Sequence, residues 1–225
     1  MSSAVSSRRS RPGRPGRPRH IPAYDDRLSG REQILDVAAR LFVGRGFAAT
    51  STREIAEGVG IRQASVYYYF SSKDKILEEL LALTVRPTLE QIDRVEAVAT
   101  EHGWAAALYA LVMIDTGTLA EAPHNTGLLP SLPEVRSLEQ FQPYREVRSD
   151  LVDAYGRLGS HIVGHQVDGN LITHLVESVV ASRADGVAVD EDARHAIATA
   201  ALGACGATKE EITIAAAVTW AELLA

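Results

Sequence analysis

The sequence is almost without sulfur chemistry. Cys205 is the single cysteine in 225 residues, so an internal disulfide framework and a four-cysteine zinc site are both excluded. A lone thiol suits a reducing interior, and the expected compartment is the cytoplasm. No apolar run approaches the roughly 18 residues that a membrane helix needs, so no membrane partner is expected. The arginines near the start have no apolar stretch behind them and do not read as a secretory signal. Strictly alternating β-branched runs are missing, which argues against half-buried strands. There is no internal repeat, no Gly-rich phosphate loop, no His-Glu-x-x-His and no Gly-x-Ser-x-Gly. With no nucleophile–base pair and no metal set, neither an enzyme nor a cofactor is expected.

What is present is ordinary in amount and uneven in placement. Hydrophobic residues make up 46% of the chain, enough for a real core. The length allows one large domain or two small ones. The formal net charge of −6 conceals an asymmetry. Residues 1–70 carry 12 arginines against 6 acids, whereas residues 71–225 carry 11 basic residues against 23 acids. A basic head on an acidic body points to a polyanion partner for the head only.

Residues 1–27 read as a disordered, Arg-rich arm, with too few apolar residues to offset ordering entropy. Ser29 fits an N-cap for a helix carrying Ile34, Val37, Ala38, Leu41 and Phe42, ended by Gly44 and Gly46. Ser51-Thr52-Arg53-Glu54 fits a capping box. Gly58 and Gly60 bracket Val59 at a tight turn, and residues 64–70 form the next short helix. Ser72 caps a longer one with Ile76, Leu77, Leu80 and Leu81, which Pro87 should kink or end near Val85. Helices are expected near 103–121, 142–165, 170–184, 190–204 and 208–224, with loops and one short helix in 122–140. The fold class is all-α. A helix-turn-helix head at 28–72 precedes a body at 73–225.

The stretch from Thr50 to Lys73 carries the chemistry. On a wheel of about 100° per residue, Val66 and Phe70 lie about 40° apart and anchor the second helix inward. Its outward face is then Gln63, Ala64, Ser65, Tyr67 and Tyr68. A helix so placed enters the major groove of double-stranded DNA with its first residues at the base edges. Gln63 suits an adenine edge, and Ala64 a thymine methyl. Ser65 suits a base or a phosphate. The tyrosines offer hydroxyls to phosphate and ring faces to thymine methyls. Thr50, Ser51 and Thr52 at one helix N-terminus, and Ser72 with Lys73 at another, suit phosphate. A Tyr-rich short helix standing alone reads first as amphipathic core. The caps, turn glycines and third helix start in register decide for a DNA reader.

Residues 31–80 resemble the head of the TetR (tetracycline repressor) family. The likeness rests on the run Ile34 to Phe42, on Gly46-Phe47, Thr50-Ser51, Ile55-Ala56 and Gly60-Ile61, and on Val66 to Phe70, Lys73 and Leu77. It implies an all-α homodimer with a small-molecule effector pocket in the C-terminal body and a four-helix dimer bundle from the last two helices. It implies base contacts at Gln63, Ala64, Ser65 and Tyr68, and phosphate contacts at Thr50, Ser51, Tyr67 and Lys73. Arg62 departs from the family pattern, which has a small capping Ser or Thr there.

Two further features stay open between readings. Residues 8–19 hold six arginines and no acid. Gly13-Arg14-Pro15 and Gly16-Arg17-Pro18 resemble the centre of an AT-hook, with Arg14 and Arg17 in a minor groove; the alternative is a nonspecific basic tail. In the body, Trp104, Tyr109, Met113, Phe141 and Tyr144 line an effector pocket or are plain core. His161 and His165 have one helical metal-ligand spacing but no carboxylate or cysteine close by, so no metal is expected. The small residues of 196–204 and 215–217 suit a dimer bundle or ordinary packing. The function expected is a DNA-binding transcriptional regulator, a repressor released by an effector. The alternative is an architectural DNA-binding protein without one.

Overall fold

The computed structural model describes residues 27–222. Among them every regular element is helical. Helix α1 (Gly30–Arg45) starts on Ser29, whose hydroxyl accepts the Glu32 N–H while the Glu32 carboxylate accepts the Ser29 N–H at 2.7 Å. It ends at Gly46, whose φ of +89° is open to glycine at little cost. Helix α2 (Thr52–Val59) has the same reciprocal cap between Ser51 and Glu54 and stops at left-handed Gly60. Gly58 has a different role from the turn role its sequence position suggests. It lies inside α2, where an added Cβ would come within 2.6 Å of Val37 Cγ1, so it serves close packing of α1 on α2. Helix α3 (Gln63–Tyr69) follows the turn.

Helix α4 (Lys73–Leu89) starts on Ser72 and links the head to the body. It runs through Pro87 rather than stopping near Val85. Pro87 lacks the N–H that would bond the carbonyl of Leu83, and both residues are exposed, so water can satisfy that carbonyl. The break comes after Leu89, and α5 (Ile92–His102) follows.

Helix α6 (Trp104–Glu121) is the centre of the body. Ala106 through Met113 are all buried, so it is apolar on every side. It packs against α4, α5, α8 (Gln142–Val163), α9 (Gly169–Ala184), α10 (Glu191–Ala204) and α11 (Lys209–Glu222). Helices α8 and α9 approach so closely that a Cβ on Gly169 would lie 1.9 Å from the Val152 carbonyl oxygen.

The turn-rich stretch after α6 holds a 3-10 segment (Pro123–Ser131), α7 (Pro133–Ser137) and a 3-10 turn (Glu139–Phe141). His124 and Asn125 take φ values of +53° and +55°, uncommon for residues other than glycine. Hydrogen bonds hold this bend. Asn125 Nδ2 donates to the Val180 carbonyl at 2.9 Å, and the Arg183 guanidinium donates to the carbonyls of Leu119 and Ala122. His124 Nε2 stands 2.8 Å from Asp36 Oδ1 on α1. The bend therefore fastens the body to the head at a second place besides α4.

Candidate functional site

Helix α3 is held by its inner face. Val66 and Phe70 are buried, and the Arg31 guanidinium covers the Phe70 ring at 4.7 Å. The outer face is open: Tyr68 is 84% exposed, Tyr67 is 50% exposed, Gln63 and Ala64 are exposed, and Ser65 is half-buried. The face expected from the wheel is the face presented. Arg62 occupies the N-cap with extended backbone, and its side chain makes no cap hydrogen bond.

Thr52 organises this face, a role its sequence position does not announce. Its hydroxyl oxygen accepts from Gln63 Nε2 at 2.8 Å and lies 3.2 Å from the Tyr67 hydroxyl. One buried residue at the start of α2 thus positions two residues of α3. Ser51 stays exposed while capping α2, and its hydrogen bonds hold the Glu54 carboxyl below the usual carboxylate range.

Two residues expected at phosphate are turned inward. Thr50 is buried, and its hydroxyl donates to the Gly46 carbonyl at 2.9 Å. Lys73 Nζ donates to the carbonyls of Phe47 and Thr50, each at 2.7 Å, and lies 4.2 Å from the centre of the Phe47 ring. A cation in the first turn opposes the helix dipole; here the two carbonyls and the ring face stabilise it instead. Arg14 and Arg17 lie outside the described residues.

Of the five body residues expected to share a pocket, Phe141 and Tyr144 border one groove of about 620 Å³ beside the head, and the other three lie elsewhere. Trp104 is 40% exposed and stacks on His161 with ring centres 3.9 Å apart. Tyr109 is buried against α10, its hydroxyl bonded to His195 Nδ1. Met113 borders a groove of about 730 Å³ between α1, α4 and α6. Phe141 packs edge-on against Phe47 of the head, 6.4 Å between ring centres. Helical spacing put four of them in the core, and only Phe141 and Tyr144 share a groove. Only Tyr144 also borders a small chamber between α4, α6, α8 and α9.

That chamber holds about 30 Å³ and is lined by Thr84, Asp115, Tyr144, Arg148, Thr173 and Glu177 among apolar neighbours. Asp115 is buried, accepting from Thr88 Oγ1 at 2.9 Å and from the Tyr155 hydroxyl at 2.8 Å. Burial pushes its carboxyl up to about 6, against the pull of those two donors. The Tyr144 hydroxyl is buried beside Thr84 with no hydrogen-bond partner, and burial raises it to about 12. Arg148 is bonded to Glu177 at the edge of the chamber. Among the described residues no group of His, Cys, Asp and Glu is placed to hold a metal ion.

Comparison with known proteins agrees with this geometry. Residues 34–80 match the model of bacterial regulatory proteins of the tetR family. AmtR of Mycobacterium smegmatis is 36% identical in its crystal structure, over 88% of this chain and 97% of that one, with a TM-score of 0.76. The chain belongs to the TetR family. The HTH-type transcriptional repressor KstR2 of Mycobacterium tuberculosis is 43% identical over 61 residues, 25% of this chain. That match spans 30% of the repressor's length, so this TetR-family chain covers less than a third of that relative. AibR, solved with isovaleryl coenzyme A and operator DNA, shares the fold at 19% identity and a TM-score of 0.59. The TetR family is one of regulators, not enzymes, and its helix-turn-helix head and helical body account for the two-part layout seen here.

Proposed function

We propose that this TetR-family protein is a sequence-specific transcriptional repressor that binds operator DNA as a homodimer and leaves it when a small molecule enters the body. The observation that carries the reading is the outward face of α3, with Tyr68 84% exposed beside Gln63 and Ala64. Such a face has no packing role in the folded chain. Gln63, Ala64, Ser65 and Tyr68 read bases in this assignment, and Ser51 and Tyr67 contact phosphate. The head is residues 28–72 and the effector-binding and dimerising body is 73–225. Arg14 and Arg17 of the arm extend the contact into a flanking minor groove.

The second fastening between body and head supports release by an effector. A ligand that changes the packing around α6 and the 123–131 bend acts on α1 through the His124–Asp36 contact. It moves the heads only if it binds the two states differently. The small chamber with buried Asp115 and Tyr144 in its wall favours this over an architectural protein without an effector.

A fluorescence-anisotropy titration tests the reading, using the promoter DNA of the gene itself and a scrambled duplex. Specific binding should exceed nonspecific binding by roughly a thousandfold or more at physiological salt. Footprints should fall in two half-sites about one helical turn apart. Equal affinity for both duplexes would overturn the reading in favour of the architectural one.

A further inference from the structure

We propose that the chamber around Asp115 receives the primary ammonium head of a small alkylamine, held by the Asp115 carboxylate and the Tyr144 hydroxyl. This rests on the effector reading for its regulatory consequence, but the site itself is argued from the chamber alone.

The hydroxyl protons at the chamber are nearly all committed. Thr84 donates to the Leu81 carbonyl and Thr173 to the Gly169 carbonyl. Thr88 and Tyr155 donate to Asp115. What these groups still offer is lone pairs. A carboxylate has about four acceptor sites, and only two donors reach that of Asp115. The Tyr144 hydroxyl, buried and unpartnered, keeps its own proton and also has lone pairs to offer a donor. The few polar atoms of a mostly apolar wall thus have spare lone pairs, which calls for a guest with donors.

Charge points the same way. The charged residues lining the chamber are Asp115, Arg148 and Glu177, and Arg148 is paired with Glu177. Arg148 also acts on Asp115, but Glu177 offsets it, so the carboxylate has no cation bonded to it. A buried charge without a counter-charge is costly, and a cationic guest would remove that cost. An ammonium group brings one positive charge and three N–H donors, with no acceptor.

Size sets the rest of the ligand. About 30 Å³ admits a group no larger than a water or an ammonium. Beyond it lies an outer groove of about 680 Å³ that shares Tyr144, Arg148, Val152 and Glu177 with the chamber. The head fits inside and the alkyl tail passes the Arg148–Glu177 pair into the groove, whose volume is in the range of small-molecule sites.

The test is calorimetric titration of the full chain with n-butylammonium, n-butanol, butyrate and tetramethylammonium. Butylammonium alone should bind, because butanol lacks the charge, butyrate has the wrong sign and tetramethylammonium has no N–H. Asp115→Asn should weaken it by about tenfold or more, the scale of a charged hydrogen bond. Tyr144→Phe should cost less and leave the fold intact, so the proposal stays decidable if the Asn variant does not fold. Unchanged binding to a folded Asp115→Asn variant would overturn it. So would tetramethylammonium binding as tightly, or no binding by the wild type, which would leave the chamber to water. A gel shift on operator DNA separates the two readings. Butylammonium that binds without releasing DNA supports the site and sinks the effector role.

Discussion

Gln63 Nε2 donates to Thr52 Oγ1 at 2.8 Å, so the first residue of the reading helix is positioned by the first residue of the helix before it. The bond uses one of the two amide hydrogens. The other hydrogen and the carbonyl oxygen remain for a base edge. The same Thr52 oxygen lies 3.2 Å from the Tyr67 hydroxyl. Two side chains of the proposed DNA-binding face are therefore ordered within the folded chain.

Thr52→Val keeps the shape and removes the hydroxyl. Ordering one long side chain on binding costs about 0.5–1.5 kcal/mol, so operator affinity should fall about threefold to tenfold. The loss should be absent on scrambled DNA, where Gln63 reads nothing. Anisotropy on both duplexes checks it. An equal loss on both would mean that Thr52 acts through the fold of the head.

Lys73→Met separates a brace from a phosphate contact. The ammonium holds the Phe47 and Thr50 carbonyls, joining α4 to the turn between α1 and α2. Hydrogen bonds to a charged group contribute about 1.5–3 kcal/mol each, so urea unfolding should show a loss on that scale. The slope of log affinity against log salt should stay unchanged. A phosphate contact would instead lower that slope by about 0.9.

The head was largely legible because its signals are local. Ser29 and Glu32, and Ser51 and Glu54, lie three residues apart, and both pairs form the caps that this spacing implies. The outward face of α3 follows from helical period once Val66 is set inward. What escaped the sequence depends on how helices meet. The Thr52–Gln63 contact joins residues 11 apart across a turn whose angle no spacing reveals. Phe141 has the composition of a pocket wall, yet it closes the head–body junction against Phe47. Asp115 is the one acid among the apolar residues of α6 from 104 to 120, a signal the sequence reading passed over. Its meaning came only with Tyr155, Thr88 and Tyr144, contributed by two other helices.

Arg62→Ser tests the departure from the family's cap. The backbone at Arg62 is already extended, with φ −77° and ψ 147°, so a serine there can cap α3 without rearrangement. Capping should raise stability by about 1 kcal/mol, read as a higher urea midpoint. The lost guanidinium should also lower the salt slope of operator binding by about 0.9. An unchanged slope with unchanged affinity would assign Arg62 to solvent.

Asp115→Asn should reshape the pH dependence of stability. An ordinary aspartate titrates near 3.8, whereas burial raises Asp115 to about 6. Between those values the unfolded chain has released this proton and the folded chain still holds it. Rising pH through that window therefore favours unfolding, and the loss is complete above about 6. A shift of this size corresponds to about 3 kcal/mol. The Asn variant has no such proton, so its stability relative to wild type should rise from pH 4 to pH 7 and then level off. Urea unfolding of both proteins across that range measures the difference directly and cancels the other carboxylates. A constant difference would mean that Asp115 ionises as easily in the folded chain as in the unfolded one. Saturating butylammonium should reduce the rise, because a bound cation stabilises the ionised carboxylate that burial disfavours.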